Sequence, residues 1–405
     1  MNTNKLLQSK KTGSALALVL LVVVILSAMG AGLLSLGLHG RMLGVRASSE
    51  IAARCAADAG LTKAVFAMNE KLKVIPWDGN SLPQVTNESL LNSDATFNYT
   101  VTEDANSSYT VVSIGNAVQT QRQVSSTLRR KGLFEYGLLT KQTIIVEYNT
   151  LVYGYDSDTG SDAELAIGTI STAPDSIVLG SGGTIDGDVF VGLGGDTETV
   201  IQNEGAVING QTYALKEELA FPVITPPSLS DMGTMDIAGT IVVGPADSGR
   251  YTSITLQSSG ILKIDGGDVV LHVTGDVAMN SGSQIQVEAG SSLTLYVDGD
   301  LGGDELNNVE INNYTGVPGG FKLCLMGASE PNIEFKNNSD LFMAIYAPNT
   351  DIIFKNNTTF RGSVVAKSVY MKNNSVFYYD KALQGETIGN NNVGLSFVTD
   401  RWQEE

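Results

Sequence analysis

Twenty-five consecutive residues, Ser14 to Leu38, carry no charge and are mostly Leu, Val and Ala. As a helix they reach roughly 37 Å at about 1.5 Å per residue, past the roughly 30 Å of a bilayer's hydrocarbon core. Water does not tolerate such a surface, so the segment is expected in lipid or among like helices. A cleavable secretory signal has a shorter apolar core with a small-residue cleavage site beyond it, so the length argues for a span that stays. Lys5, Lys10 and Lys11 precede the run, whereas Arg41 and Arg46 follow it. That bias leans towards a cytoplasmic N-terminus.

The helix need not stop at the membrane. Leu61, Val65, Met68 and Leu72 recur at helical spacing with Lys63, Glu70, Lys71 and Lys73 between them, an amphipathic stripe. Pro76, after Ile75, disfavours further helix and predicts a rod of roughly 60 residues. Its second half is expected to dock on its own globular domain.

Three further elements carry a resemblance: Lys10-Lys11-Thr12-Gly13-Ser14-Ala15-Leu16 opening the apolar run, Arg41-Met42 with Gly44 and Arg46, and Ala56-Ala57-Asp58-Ala59-Gly60-Leu61. Together they resemble the N-terminal region of PilX-type type IV pilus assembly proteins. The resemblance implies a leader ending at Gly13, cut by a prepilin peptidase so that Ser14 begins the mature chain, and residence in a bacterial inner membrane. Two positions depart from pilin patterns: Asp58 stands where the family element has glutamate, and Leu18 where major pilins carry their fifth-position glutamate.

After Pro76, an Asn/Ser-rich link leads to alternating segments at Phe97 to Val101, Tyr109 to Ile114 and Val118 to Leu128, with Gly115-Asn116 separating the last two. They read as a small antiparallel meander. A sheet laid on the second half of a long helix is the pilin-like arrangement.

From about Tyr136 internal repeats dominate. Leu271-His272-Val273-Thr274-Gly275-Asp276-Val277 is echoed by Leu295-Tyr296-Val297-Asp298-Gly299-Asp300-Leu301, and Phe335-Lys336-Asn337-Asn338-Ser339 by Phe354-Lys355-Asn356-Asn357-Thr358 and Met371-Lys372-Asn373-Asn374-Ser375. Periods near 20, with Gly, Asn or Asp at the corners, suit one turn of a parallel β-helix, taken as right-handed. The 44 glycines and 17% charged residues fit many tight turns. Ile254, Leu256, Leu293, Leu295, Val297, Ile352 and Phe354 are expected inside as apolar ladders, and Asn338, Asn357 and Asn374 as an amide ladder at one corner. Ile345-Tyr346-Ala347-Pro348-Asn349, Phe360 to Lys367, Phe377 to Leu383 and the ending Trp402-Gln403-Glu404 resemble an uncharacterised β-helical domain appended to PilX-type proteins. The expected fold is mainly β: a leader at 1–13, a transmembrane and amphipathic helix at 14–75, a meander at 76–135, a β-helix at 136–390 and a tail at 391–405.

Net charge is -18; the first 60 residues hold six basic and two acidic side chains, so the rest carries -22. A body this acidic is repelled by phosphate backbones, which excludes nucleic acid as the natural partner. Cys55 and Cys324 are too few for a disulfide scaffold and read as small packed side chains. His39 and His272, the two histidines, lie at the membrane edge and on a strand facing solvent, which leaves no histidine triad or zinc cluster. Gly192-Leu193-Gly194-Gly195-Asp196 lacks the lysine of a phosphate loop and a following helix. Asp156-Ser157-Asp158-Thr159-Gly160-Ser161-Asp162-Ala163-Glu164 sets carboxylates at alternate positions, as a hard cation needs, without a full calcium-hand register. A solvated loop is the expectation, calcium the alternative, and no other cofactor is implied. Asp276 and Asp300 share a repeat position, either as turn residues or as paired carboxylates of a polysaccharide-active enzyme.

The sequence therefore leads to a non-enzymatic, minor pilin-like or pilus assembly component. Its partners would be the inner membrane, other pilins with their assembly machinery, and the prepilin peptidase, with a surface glycan or protein as ligand of the displayed β-helix. The alternatives are a membrane-anchored polysaccharide-active enzyme or a surface protein unrelated to pili.

Overall fold

A computed structural model describes residues 14–72, 81–104, 108–118, 120–132, 134–216, 218–219, 221–302, 309–327, 332–386, 388 and 396–404. The fold is mainly β, with one long N-terminal helix, an antiparallel sheet and a large parallel sheet. Helix α1 runs unbroken over Ser14–Leu72 for 59 residues, close to the rod read from the sequence. The described residues divide into two compact units: residues 14–67, 82–128 and 399–404 form one, and residues 68–72, 81 and 129–398 the other.

In the first unit, strands β1 (Gln84–Ser89), β2 (Thr96–Glu103), β3 (Tyr109–Ala117) and β4 (Thr120–Lys131) form an antiparallel sheet in that order, extended at the β4 edge by Ser396–Glu404. The expected tail thus ends in a strand rather than in a free segment. Along α1 the buried face is Ser49, Ala53, Ala56, Ala57, Gly60, Leu61 and Ala64. Residues three and four apart share a helix face, and here that face is mostly small, which lets backbone approach backbone. A Cβ on Gly115 would lie 1.9 Å from the Ala53 carbonyl oxygen and 2.5 Å from the Ala57 nitrogen; one on Gly60 would lie 2.2 Å from Ser113 Oγ.

That contact explains a correction. Gly115-Asn116 does not form the turn between the last two strands; both lie within β3, paired with Arg122 and Gln121. The glycine is there for the helix, and the chain reverses after Ala117, with Val118 at φ 53°. The buried Ser49 hydroxyl holds the reversal by donating to the Ala117 carbonyl at 2.6 Å.

The second unit is a parallel β-solenoid with three strand-bearing faces. On one face the inward residues Val189, Ile167, Leu138, Val364, Ile345, Leu323, Leu295 and Leu271 pair rung to rung. All eight are fully buried, and each aliphatic side chain contributes about 1.5–3 kcal/mol on burial. The interior ladder residues expected from the sequence, Ile254, Leu256, Leu293, Leu295, Val297, Ile352 and Phe354, are likewise fully buried. Phe335, Phe354, Phe360 and Phe377 form a file of rings with centroids 5.5, 4.9 and 5.2 Å apart, the outer pairs stacked and the middle pair tilted by 55°.

Rung order does not follow chain order. The stack grows from 138–140 through 166–169 and 188–191 to Thr212–Ala214, and the next strand, Asp231–Ile237, lies at the opposite end, the described residues among 215–230 forming the returning segment. The chain climbs back until 364–366 and 369–371 pair with Leu138–Thr140 and Ile144–Val146. A non-covalent seam in the middle of the stack therefore joins two halves. The returning segment covers outward apolar residues: Leu215 and Ile224 are buried in one cluster with Leu139, Tyr296, Cys324, Tyr346 and Val365, and the Tyr346 hydroxyl donates to the Pro222 carbonyl at 2.6 Å.

Asn338, Asn357 and Asn374 share a corner with a fourth member, Asn149, all at φ between 56° and 60°. Asn tolerates this left-handed conformation better than other non-glycine residues, and Gly182 and Gly205 take the same sign of φ in the next rungs. The Asn357 amide N–H donates to Asn338 Oδ1 at 3.2 Å and that of Asn149 to Asn374 Oδ1 at 3.5 Å, while the adjacent Asn373 donates to Asn356 Oδ1 across the middle step at 3.4 Å.

Candidate functional site

The most chemically distinctive surface is the first part of α1. Gly13 lies outside the described residues, and Ser14 is the first helical residue described. Residues 15–48 are all exposed, including Leu20 at 58%, Leu34 at 66% and Leu43 at 65%. The helix is long and apolar enough to cross a membrane, with a mean hydropathy of 2.8 over its most apolar window. An aliphatic surface of this size on a folded chain marks a lipid- or protein-covered region. His39, at its end, donates from Nδ1 to the Ser35 carbonyl one turn back at 2.9 Å, an ordinary intrahelical contact.

The second half of the helix carries the stripe differently than spacing alone suggested. Leu61, Met68 and Leu72 are buried and Val65 half-buried, but the small residues from Ser49 to Ala64 do as much of the packing. Cys55 is a correction: it is exposed, on the opposite side from Ala53, Ala56 and Ala57. Cys324 is buried between Tyr296 and Tyr346 on the outward ladder under the returning segment, and burial raises its thiol above the usual range.

The solenoid's candidate groups are mostly accounted for by local structure. His272 points outward but is not free in solvent; its Nε2 lies 3.0 Å from Asp298 Oδ2, and its ring meets Tyr296 edge-on. The Asp276 carboxylate accepts the Asp300 backbone N–H at 2.9 Å, one rung above, which is turn chemistry between stacked corners. Asp156 caps its own loop by accepting the Asp158 N–H at 3.0 Å, and Ser161–Asp162 folds back on Tyr155 and Asp156 as a two-residue strand. Asp158, Asp162 and Glu164 are exposed. Among the described residues no group of three His, Cys, Asp or Glu side chains is gathered that could hold a metal. The glycine loop at 192–195 is followed by a helix after all, one turn at Thr197–Val200 capped by Asp196 through the Glu198 N–H; a single turn offers too short a dipole for a phosphate.

Four tyrosines, Tyr155, Tyr296, Tyr346 and Tyr379, are held well above the usual phenol range, in each case chiefly by burial. For Tyr155 the Asp380 carboxylate adds to the effect. Tyr379 is the inward one, donating to the Phe134 and Glu135 carbonyls at 3.0 Å.

One concavity was not foreseen. A cleft of about 210 Å³ opens in the solenoid wall, lined by Glu310, Asn312, Lys336, Asn338 and Asp340 over Ile311, Phe335 and Leu341. The repeats around it were visible in the sequence, but a break between rungs leaves no local signal.

By architecture the chain joins a helix long and apolar enough to cross a membrane, an antiparallel sheet and a parallel β-solenoid. Residues 230–386 match the family model of a domain of unknown function (DUF7305), which begins where the returning segment ends. No curated protein matches. The competence-associated pilin ComZ from Thermus thermophilus is similar at 14% identity and a TM-score of 0.26, covering 88% of this chain and 97% of that one. The DUF3494 domain of ice-binding protein 1 from Shewanella frigidimarina is similar at 10% identity and a TM-score of 0.28, covering 61% and 94%. At those scores neither likeness extends to function.

Proposed function

We propose that the chain is a minor pilin-like, PilX-type pilus assembly component. The Ser14–Leu38 part of α1 anchors it in the inner membrane with a cytoplasmic N-terminus, after prepilin peptidase cuts between Gly13 and Ser14. The solenoid is displayed outside for structural or adhesive interaction, without an enzymatic role. The observation that carries this reading is the division of labour along one helix: 34 exposed residues from Ala15 to Ser48, then a small-residue face packed against an antiparallel sheet. Lipid or like helices cover the first part, and the sheet fixes the second as a stalk. Other pilins and the assembly machinery are the partners such an anchor meets.

N-terminal sequencing of the mature protein tests the processing step. A chain beginning at Ser14 supports the pilin route, and one beginning at Met1 removes it. Mass spectrometry of sheared filaments separates a pilus component, which is recovered there, from a surface protein unrelated to pili.

A further inference from the structure

We propose that the solenoid binds a neutral glycan along the face that carries the Glu310–Asp340 cleft. This deepens the adhesive part of the function proposed above and rests on it only for the direction of display.

The outward residues of this face fall into registered files. Lys263, Gln286 and Asn312 pair in successive rungs, as do Ile261, Gln284 and Glu310 beside them. Beyond a break come Phe342, Arg361, Tyr378 and Tyr153, paired in turn. Rungs repeat at about 4.8 Å, so the files present donors, acceptors and apolar surface at a fixed interval. A polymer with repeating hydroxyls meets such an array several times.

At the break the four-stranded sheet of the lower rungs ends with Glu310–Asn313. Asn313 bridges to the next rung, its amide donating to the Phe342 carbonyl at 3.0 Å. The cleft lies here, with an apolar floor and polar rim, the composition of a small-ligand site. Gln286 donates to Gln284 at 2.6 Å and Asn312 to Glu310 at 3.3 Å. An amide has two N–H donors and a carbonyl, so each retains capacity for sugar hydroxyls while its neighbour fixes its orientation.

Charge selects neutral over acidic ligands. Lys336 lies 3.7 Å from Glu310, and Arg361 pairs with Asp340, so the cations beside the cleft are already neutralised. The body outside the first 60 residues carries -22 and repels polyanions. Arg361 also lies between the Phe342 and Tyr378 rings, 4.7 and 5.2 Å from their centroids, which stiffens the aromatic half of the face.

The test is titration calorimetry of the full chain in detergent micelles with maltohexaose, cellohexaose and chitohexaose, and with oligogalacturonate as the acidic arm. At least one neutral oligosaccharide is expected to bind, and the pair Gln286→Ala with Asn312→Ala to weaken it about tenfold, equivalent to about 1.4 kcal/mol. Gln202→Ala, on another face, is expected to leave affinity unchanged. No binding by any neutral oligosaccharide, binding only of oligogalacturonate, or affinity untouched by the paired substitution overturns the proposal. None of these outcomes bears on whether the chain begins at Ser14 or sediments with membranes, so failure here is distinct from failure of the pilin-like reading.

Discussion

Gly115→Ala tests the close contact between α1 and the antiparallel sheet. The added methyl would sit 1.9 Å from the Ala53 carbonyl oxygen and 2.5 Å from the Ala57 nitrogen, both backbone atoms of a continuous helix. Neither can rotate away, so sheet and helix must separate by more than 1 Å, opening contacts around Ala53, Ala57 and Gly60. Overpacking of this kind costs about 1–3 kcal/mol, and the backbone obstruction places this case at the upper end, about 2–3 kcal/mol. Hydrogen exchange on the full chain in micelles is the assay, because it reads β2–β4 separately from the solenoid. Amides of these strands are expected to lose roughly 30- to 150-fold in protection, with the solenoid's amides unchanged. Gly44→Ala is the comparison: its methyl meets nothing within 4 Å and removes the helix penalty of glycine, about 1 kcal/mol. Equal protection in the Gly115→Ala and native chains would refute the close approach.

Three further outcomes follow from the solenoid. Phe360→Ala removes a fully buried ring between Phe354 and Phe377 and is expected to cost about 3–5 kcal/mol in chemical denaturation; a loss below that of a surface substitution contradicts the file of rings. Asn357→Gly is expected to be tolerated better than Asn357→Ala by about 1 kcal/mol, since φ is 59° there and the left-handed region penalises a Cβ; thermal melts decide it. Tyr155, Tyr296, Tyr346 and Tyr379 ionise later folded than unfolded, so the stability they contribute is present below about pH 10 and is lost as pH rises beyond it. The exposed tyrosines, such as Tyr148 and Tyr314, ionise in the folded chain, whereas the share of the phenolate absorbance from these four is expected to appear only with unfolding; their gradual ionisation in the folded chain would contradict their burial.

Local patterns in the sequence revealed the elements, and non-local pairing decided their arrangement. The uncharged run and the Leu61–Leu72 stripe mark α1 because helix signals are confined to neighbouring turns, while Pro76, the expected stop, lies outside the described residues. Inward positions such as Leu295 and Phe354 follow from strict alternation. By contrast, nothing within the segments 138–214 and 231–380 says that 364–366 pairs with Leu138–Thr140, since every rung offers a similar edge. The expectation of one continuous β-helix at 136–390 passes over the returning segment, although Pro222, Pro226 and Pro227 mark a stretch that does not alternate. Gly115 misled for a related reason: glycine next to Asn usually signals a turn, whereas here it admits a helix whose approach lies more than fifty residues away in sequence. Asn149 was missed from the amide corner because its rung lies over 200 residues from Asn374 in the chain and joins it only at the seam. Of the candidate site residues, Asp276 and Asp300 were visible as a repeated pair, but their shared hydrogen bond requires knowing that the two corners stack.

Alkaline carbonate extraction of spheroplasts, combined with labelling from outside by a membrane-impermeant amine reagent, tests the anchor and the display together. The full chain is expected to remain in the membrane pellet, with solenoid lysines such as Lys263 and Lys355 labelled and Lys5, Lys10 and Lys11 protected or removed with the leader. Recovery of the unprocessed chain in the soluble cytosolic fraction, with its solenoid unlabelled in intact spheroplasts, would contradict it.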